Sequence, residues 1–238
     1  MDAKMTLAEI TTEDYRSAIV FKKYNMDFCC GGKKTLDTAC EERNLNSSDV
    51  LEEIKLNATN SRPEQNYGDW KLDFLIAYIV NTQHIYVRKN LPAINEFLTK
   101  TVTKHGDNHP ELKEIKQLFS QVRQELLSHM EKEEQILFPY IRQIVESEDF
   151  NKKLNPPMFG TIQNPIAMME QEHIDAGNAF EAMRTLSNDF LPPQDACKTY
   201  KVTYSMLNEF EENLHLHIHL ENNILFAKAI DLENKLLK

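Results

Sequence analysis

The chain has 238 residues, of which 41% are hydrophobic and 27% are charged, which is enough for one or two compact domains and excludes a low-complexity chain. Acidic residues outnumber basic ones by 37 to 27, and the formal net charge of −10 disfavours nucleic acids and anionic membrane surfaces as partners. Six glycines are few for an all-β fold, which needs a turn about every ten residues, so the composition favours helices.

The sequence shows neither a membrane span nor a secretion signal. No run approaches about eighteen consecutive apolar residues, and the N-terminal segment carries acids instead of a basic stretch followed by an apolar one. We therefore expect a cytoplasmic protein. The cysteines are too few and too scattered for the disulfide framework of a secreted scaffold, so we expect them to be thiols. They are Cys29, Cys30, Cys40 and Cys197.

Residues 1–58 are predicted to form a small helical domain. Thr12, with two acids after it, predicts one helix start, and Ser47, with an acid in the first turn, predicts another. Residues 59–69 are polar and have no apolar period, so they are predicted to be a linker to a larger domain over residues 70–238.

The larger domain shows four long stretches with apolar residues at helical spacing. They cover about 70–104, 110–145, 165–187 and 193–236. Pro92 predicts a kink in the first stretch. Four amphipathic helices joined by short or moderate loops predict an all-α chain whose larger domain is an up-down-up-down four-helix bundle.

The second and fourth stretches contain a repeat. Residues 129–138 and 217–226 share the pattern H-x-x-x-E-x-x-I-L-F. A histidine and a glutamate at i and i+4 lie on one helix face with Cβ atoms about 5 to 6 Å apart, close enough to reach one metal site. The α-helical period also places Ile136 on the face of His129. An ionisable pair inside an apolar stripe needs a partner, and a metal ion would serve as one.

The first and third stretches each place one histidine, His84 and His173, on an apolar face. A single such histidine is more often a hydrogen-bonded core residue, but the helical rise places all four histidines roughly 20 to 35 Å below the same end of the bundle. The same arithmetic places His105 and His109 about 30 Å from that layer, and His109 is predicted to be an exposed loop residue.

Helical geometry also separates the three histidines of the fourth stretch. His217 faces inward, whereas His215 and His219 share a polar face with Glu211 and are predicted to lie on the surface. Four histidines and two glutamates then converge in the bundle core and predict a site for two metal ions, with each glutamate able to bridge. Imidazole and carboxylate donors without thiolate favour iron or manganese over structural zinc. The open coordination positions would accept water, O2 or NO.

Four motifs of the larger domain, HMEKEEQILFP, HxHLENNILF, QHIYVRKNLP and MEQEHIDAG, resemble those of the hemerythrin-like domain. The segment MDFCCGGKKTL resembles the small domain that precedes it in the di-iron iron–sulfur cluster repair family, also called RIC or repair of iron centres. The resemblance covers nearly the whole chain. It implies a carboxylate-bridged non-haem di-iron centre and the repair, by iron donation, of iron–sulfur clusters damaged by nitrosative or oxidative stress. The implied partners are damaged or apo iron–sulfur proteins.

The resemblance also assigns residues. The family's ligands fall on His84, His129, Glu133, His173, His217 and Glu221. His105 matches a histidine that is often considered with them, whereas the helical rise places it outside the site. The second copy of the repeat departs from the first at Ala227, where the first copy has Pro139. We interpret the two glutamates as bridges, the first two histidines as ligands of one iron and the last two as ligands of the other.

Cys29 and Cys30 are adjacent, and neighbouring cysteines rarely form a disulfide without strain. The lysines that follow, Lys33 and Lys34, predict a locally basic loop that lowers a thiol pKa. One interpretation is a pair of reactive thiols that meet iron, NO or a client protein. The alternative is two small residues packed under a turn.

The chemistry of the iron pair leaves alternatives open. An iron donor is favoured over a turnover enzyme, but an NO-reducing enzyme and a non-catalytic O2-binding or iron-sensing protein remain rivals. The cysteine-containing N-terminal domain argues against a simple O2 carrier. Glu125 and Glu172 are read either as solvated surface residues or as the lining of an exit or proton path. Whether the chain forms a homodimer is also open.

Overall fold

The structure is a computed structural model that describes residues 1–60 and 66–237, without the side chains of residues 58–60. Residues 61–65 of the predicted linker lie outside this description. Within it the regular elements are helices, and the β pairing is limited to an isolated bridge between Thr6 and Thr35. The all-α prediction is confirmed. In the same ranges no helix is long and apolar enough to cross a bilayer.

The α-helices in chain order are α1 (Leu7–Glu13), α2 (Ser17–Lys23), α3 (Leu36–Glu41), α4 (Ser47–Asn60), α5 (Leu72–Tyr78), α6 (Ile85–His105), α7 (Glu111–Lys132), α8 (Phe138–Asp149), α9 (Gln163–Leu186), α10 (Lys198–Ile218) and α11 (Ala227–Leu236). A short 3₁₀ helix covers Tyr67–Asp69. Three π-helices, Ile79–His84, Glu133–Leu137 and His219–Phe226, join α5 to α6, α7 to α8 and α10 to α11. The four long helical stretches predicted from periodicity are therefore present, and α6 continues through Pro92.

The described chain divides into two compact units. The first contains Met1–Ile76, Ile144–Leu154 and Leu216–Lys238, and the second contains Ala77–Gln143 and Asn155–His215. The predicted domain boundaries at residues 58 and 69 stay predictions.

Within the first unit, α1 begins at a capping box. Thr6 accepts a hydrogen bond from the backbone N–H of Glu9, and the Glu9 carboxylate accepts one from the backbone N–H of Thr6. The predicted start at Thr12 is wrong, because this capping box begins the helix six residues earlier and Thr12 lies in its last turn. The predicted start at Ser47 is confirmed as the first residue of α4.

The segment that contains the adjacent cysteines turns sharply at Gly32. The backbone carbonyl of this residue accepts a hydrogen bond from Ala8 at 2.9 Å. A Cβ atom at position 32 would lie 2.4 Å from the carbonyl oxygen of Phe28, a separation that no side chain tolerates. Glycine is therefore required for the turn that positions Cys29 and Cys30.

Within the second unit, the helices pack around aromatic side chains. Phe210 of α10 is buried, and its ring centroid lies 5.7 Å from that of Phe180 and 6.1 Å from that of Phe119. The Thr101 and Thr203 hydroxyls share a buried hydrogen bond of 2.8 Å between α6 and α10. These contacts make the second unit a helical bundle, as predicted.

Candidate metal centre

In the second unit, three of the predicted histidine ligands and one of the glutamates come together. His84 ends the first π-helix, His129 lies in the last turn of α7, and Glu133 begins the next π-helix. The Nε2 atoms of His84 and His129 each lie 3.4 Å from Glu133 Oε2. His173 of α9 places its Nε2 atom 3.0 Å from that of His129. All four side chains are buried.

In the first unit, the second copy of the repeat has the same local structure. His217 lies in the last turn of α10, and Glu221 lies in the π-helix that follows. The distance from His217 Nε2 to Glu221 Oε2 is 2.9 Å, and both side chains are buried. The i, i+4 spacing thus brings histidine and glutamate together in both copies, as the sequence predicted.

A π-helix accompanies three of the four histidine positions, namely those at residues 84, 129 and 217. Such segments insert a residue into the helical register and occur frequently at functional sites. The insertion corrects one prediction. Ile136 is 50% exposed and does not share the face of His129, whereas Leu137 is 1% exposed and takes the inward position. The α-helical period used for the prediction does not hold across this segment.

Two imidazole rings contact a carboxylate through Nδ1, the ring nitrogen opposite Glu133. His84 Nδ1 lies 2.6 Å from Glu134 Oε1, and His129 Nδ1 lies 2.8 Å from Glu172 Oε2. With Nδ1–H donating to the carboxylate, the Nε2 lone pair of each ring points toward Glu133. A carboxylate behind the imidazole fixes the ring orientation and raises its basicity, an arrangement typical of metal-ligating histidines.

These supporting carboxylates are themselves held by basic residues. Lys132 pairs with Glu172, and Arg88 Nη1 donates to Glu134 at 2.9 Å. The hydrogen bond with His129 and then the one with Lys132 lower the pKa of Glu172 to about 2. Burial raises the pKa of Glu134, but hydrogen bonds from Arg88 and His84 outweigh it and leave the pKa below its usual value. Both groups are therefore carboxylates at neutral pH.

The sequence interpretation missed Glu134, and it described Glu172 as a solvated residue or part of an exit or proton path without predicting its contact with His129. Each glutamate is a sequence neighbour of a predicted ligand, Glu133 or His173, and this adjacency is the signal that would have drawn attention to it. Adjacency alone does not show which imidazole a carboxylate meets, because His84 and His129 belong to other helices.

His105 lies away from this group. It ends α6, 21 residues after His84, which corresponds to about 30 Å along the helix. Its Nε2 atom lies 3.2 Å from Cys197 Sγ. The prediction from helical rise is thus confirmed for His105. His109 was predicted to be an exposed loop residue, but it is half-buried and bonded to Asp195 and Glu111, because the loop after Phe190 lies beside it.

His219 was predicted to lie on the surface, and that prediction is wrong. Within the first unit its side chain is 0% exposed, and its ring centroid lies 5.3 Å from that of Tyr15 and 6.4 Å from that of Phe28. Asn223 Nδ2 lies 2.9 Å from His219 Nδ1. The face that appeared polar in the isolated helix is covered by the N-terminal residues.

The other residues of that predicted surface differ in exposure. Glu211 is buried and pairs with Arg184, so its prediction is also wrong. His215 is half-buried.

The adjacent cysteines lie in a loop organised by Asp27. Its carboxylate accepts backbone N–H hydrogen bonds from Cys29 and Cys30 at 3.0 Å each and from Gly31 at 2.8 Å. Cys29 is buried, and a hydrogen bond with Cys30, burial and the negative charge of Asp27 raise its pKa well above the usual value. Lys34 pairs with Glu42 at 2.6 Å. The expected lowering of the thiol pKa is therefore wrong for Cys29, and a reactive role of the pair stays a prediction.

Comparison with known proteins accounts for both parts of the chain. Residues 3–58 match the ScdA_N family, a domain of unknown function (DUF542), and residues 75–229 match the hemerythrin HHE cation binding domain. The iron–sulfur cluster repair protein YtfE of Citrobacter koseri is 36% identical over 227 residues, which cover 94% of this chain and 96% of the relative. The chain belongs to the iron–sulfur cluster repair protein family. YtfE proteins of Escherichia coli O81 and Escherichia fergusonii are 35% identical over 224 residues with the same coverage.

Family membership and geometry agree on metal binding. The cation binding domain of the repair family, residues 75–229, contains all six predicted ligands, and each of the six is buried. Nitrogen and oxygen donors from imidazole and carboxylate suit iron, and the six predicted ligands include no cysteine. The residues present therefore fit the iron binding that the sequence analysis predicted.

Proposed function

We propose that this protein repairs iron–sulfur clusters damaged by nitrosative or oxidative stress and that it does so by donating iron from a di-iron centre. Its proposed ligands are His84, His129, Glu133, His173, His217 and Glu221. The observation that carries the proposal is the pair of buried imidazoles with carboxylates at Nδ1 and with Nε2 directed at Glu133. A stability role alone does not account for so many buried ionisable groups.

The assignment of His217 and Glu221 to the same centre rests on the repeat. The pair reproduces the spacing and burial of His129 and Glu133, and Glu221, like Glu133, lies in a π-helix. Our proposed donor set for two ions is one histidine and one bridging glutamate from each copy, with a further histidine from each of the other two long helical stretches.

The distances in the second unit support a particular division of the ligands. Two side chains whose donor atoms lie close together could hold the same ion. The Nε2 atoms of His129 and His173 are 3.0 Å apart, so we assign them to one ion. This differs from the sequence interpretation, which paired His129 with His84.

The supporting carboxylates have a role in binding and release. Glu172 is 27% exposed at its side chain, while His129 behind it is 1% exposed. A hydrogen-bonded path thus leads from solvent through Glu172 to a proposed ligand. While Glu172 is ionised it keeps Nδ1 of His129 protonated and Nε2 available for an ion. Loss of this contact would lower the basicity of the His129 ring and weaken its binding of an iron ion destined for the client.

An isotope transfer experiment tests the donation. The protein is loaded with ⁵⁷Fe and mixed with a ferredoxin whose cluster has been damaged by NO, and the restored cluster is examined by Mössbauer spectroscopy. We expect ⁵⁷Fe in the restored cluster, at a yield that an equal concentration of ⁵⁷Fe with a chelator does not reach.

A matched variant and an alternative outcome make the result decisive. Glu125→Gln changes an exposed carboxylate on α7 and should transfer as the parent does. Sustained conversion of NO to N2O with no ⁵⁷Fe in the ferredoxin would contradict donation and favour the enzyme alternative.

A further inference from the structure

A second group of reactive side chains lies at the opposite end of α6 from His84, within the second unit. Cys197 immediately precedes α10, a helix of 21 residues, and its sulfur lies close to the backbone N–H groups of Thr199 and Tyr200 in the first turn. The first N–H groups of a helix have no partner inside the helix, and they stabilise a negative charge placed before them. Cys197 therefore occupies a capping position in which a thiolate is favoured.

An imidazole supplies the second feature of this group. His105 Nε2 lies 3.2 Å from Cys197 Sγ, and the histidine is only 9% exposed. Its ring packs against Tyr200, with 5.3 Å between the ring centroids, which keeps the imidazole directed at the sulfur. Cys197 itself is half-exposed. A cysteine with a held histidine beside it and access to solvent has the geometry of a nucleophilic thiol.

The positive charge of Lys104 favours the thiolate as well. The charged and titratable groups near it are Lys104 and His105 on α6, His109 on the loop, Glu111 on α7, Asp195 on the loop before Cys197, and Tyr200 on α10. Both carboxylates contact His109: Glu111 Oε1 lies 3.2 Å from Nδ1 and Asp195 Oδ1 lies 3.1 Å from Nε2. The backbone hydrogen bond from Tyr200 and the hydrogen bond with His105 lower the pKa of Cys197 to about 7.

The other cysteines provide the contrast. Cys29 and Cys40 are buried, and the pKa of each is raised, the first mainly by its hydrogen bond with Cys30 and the second mainly by burial. Cys30 is half-exposed, like Cys197, but the described residues place no imidazole against its sulfur. Exposure therefore does not distinguish Cys30 from Cys197, and the His105 contact does.

We propose that the Cys197–His105 pair is a site of covalent modification by low-molecular-weight disulfides. The Cys197 sulfur attacks one sulfur of the disulfide, a new S–S bond forms, and the original S–S bond breaks. The leaving thiolate takes up a proton, so the overall exchange converts one protein thiol and one disulfide into a mixed disulfide and one free thiol. No further oxidant is consumed.

This site is independent of the proposed metal centre. The 21 residues from His84 to His105 separate the two along α6 by about 30 Å. None of the six proposed metal ligands takes part in the exchange. Modification can therefore be measured directly on the thiol, whether or not the protein holds iron.

The test uses oxidised glutathione as the probe, with the full chain and peptide mass mapping of each cysteine over a range of pH. We expect the Cys197 peptide to gain glutathione first, with a rate that rises through about pH 7, while Cys30 reacts more slowly at that pH. Cys197→Ser keeps a helix-capping side chain and should abolish the fast phase. Cys30→Ser is the matched control and should leave that phase unchanged.

A further variant tests whether the imidazole of His105, and not exposure alone, makes Cys197 reactive. His105→Gln retains a side chain of similar length. It should move the midpoint of the pH–rate curve of Cys197 to higher pH and slow the reaction near pH 6.5 about three- to fivefold. The reaction slows because the thiolate fraction falls more than the nucleophilicity of the thiolate rises. Circular dichroism verifies that the variant is folded. Faster reaction at Cys30 than at Cys197 would overturn the proposal, and so would an unchanged pH midpoint in a folded His105→Gln protein.

Discussion

Two histidine clusters in the second unit use the same residue type in different surroundings. In one cluster, named the metal cluster after its proposed role and formed by His84, His129 and His173, the imidazoles are buried and direct Nε2 atoms toward one another or toward a glutamate. In the thiol cluster, formed by His105, His109 and Cys197, one imidazole contacts a sulfur and the other contacts carboxylates near the surface.

The difference lies in what each ring nitrogen faces. In the metal cluster, carboxylates occupy Nδ1 of His84 and His129, which increases the electron density at Nε2 and suits it to a cation. In the thiol cluster, Nε2 of His105 is already engaged by a sulfur that can carry the negative charge itself. The roles that we propose for the two clusters, metal binding and thiol activation, thus depend on the partner of each ring and not on the histidine alone.

The largest expected effect concerns the proposed bridging carboxylate. Glu133→Leu removes both carboxylate oxygens from between His84 and His129 while keeping a buried side chain of similar volume. We expect iron content to fall to about half that of the parent or less, because a bound ion loses a ligand that no neighbouring residue replaces. Iron analysis of purified protein, together with its absorption spectrum, measures this effect.

The control for this variant lies on the same helical stretch. Glu125 is exposed on α7, so Glu125→Leu changes the same residue type without touching the metal cluster. Its iron content should equal that of the parent. Two irons per chain and full repair activity in Glu133→Leu would show that the bridging assignment is wrong.

A smaller effect is expected from the carboxylate behind His129. Glu172→Gln keeps the size of the side chain but weakens the charge-assisted hydrogen bond to Nδ1 and the pair with Lys132. Loss of such a supporting carboxylate typically lowers metal affinity about 10- to 100-fold. The rate of iron removal by a chelator should rise accordingly. Glu181→Gln, at an exposed position of α9, is the matched control, and equal rates in the two variants would refute the supporting role.

The two histidine–glutamate contacts could be predicted because their determinants are local. The i, i+4 spacing of His129 and Glu133 and its repetition at His217 and Glu221 are properties of single helices, and the structure reproduces both contacts. The long helices could likewise be predicted from apolar periodicity. The helical register after Glu133 could not be predicted, because a π-helix changes the period without an obvious signature in the sequence.

The supporting contacts could not be predicted, since they join residues that are distant in the chain. Glu134 meets His84 across 50 positions, and His105 meets Cys197 across 92. His219 appeared exposed because its own helix was considered without the residues that cover it, and Phe28 is among those residues. Helical geometry says which face a side chain occupies, but only tertiary packing says what that face meets.

The smallest expected effect concerns the thiol cluster and the separation of the two clusters. The hydrogen bond that His109 donates to Asp195 raises the pKa of His109. This pair therefore stabilises the fold where His109 is protonated, below its ordinary value of about 6.5, and the contribution disappears as pH rises through the raised pKa. Asp195→Asn should therefore lower the thermal midpoint slightly at about pH 5.5 and leave it unchanged at about pH 8.5, and the effect is small because Asp195 is exposed. Thermal melts at the two pH values measure it.

The variant should also keep the iron content of the parent, because no proposed metal ligand contacts His109 or Asp195. Loss of iron, or a larger drop in stability at the higher pH, would show that the two clusters are coupled and that the comparison between them fails.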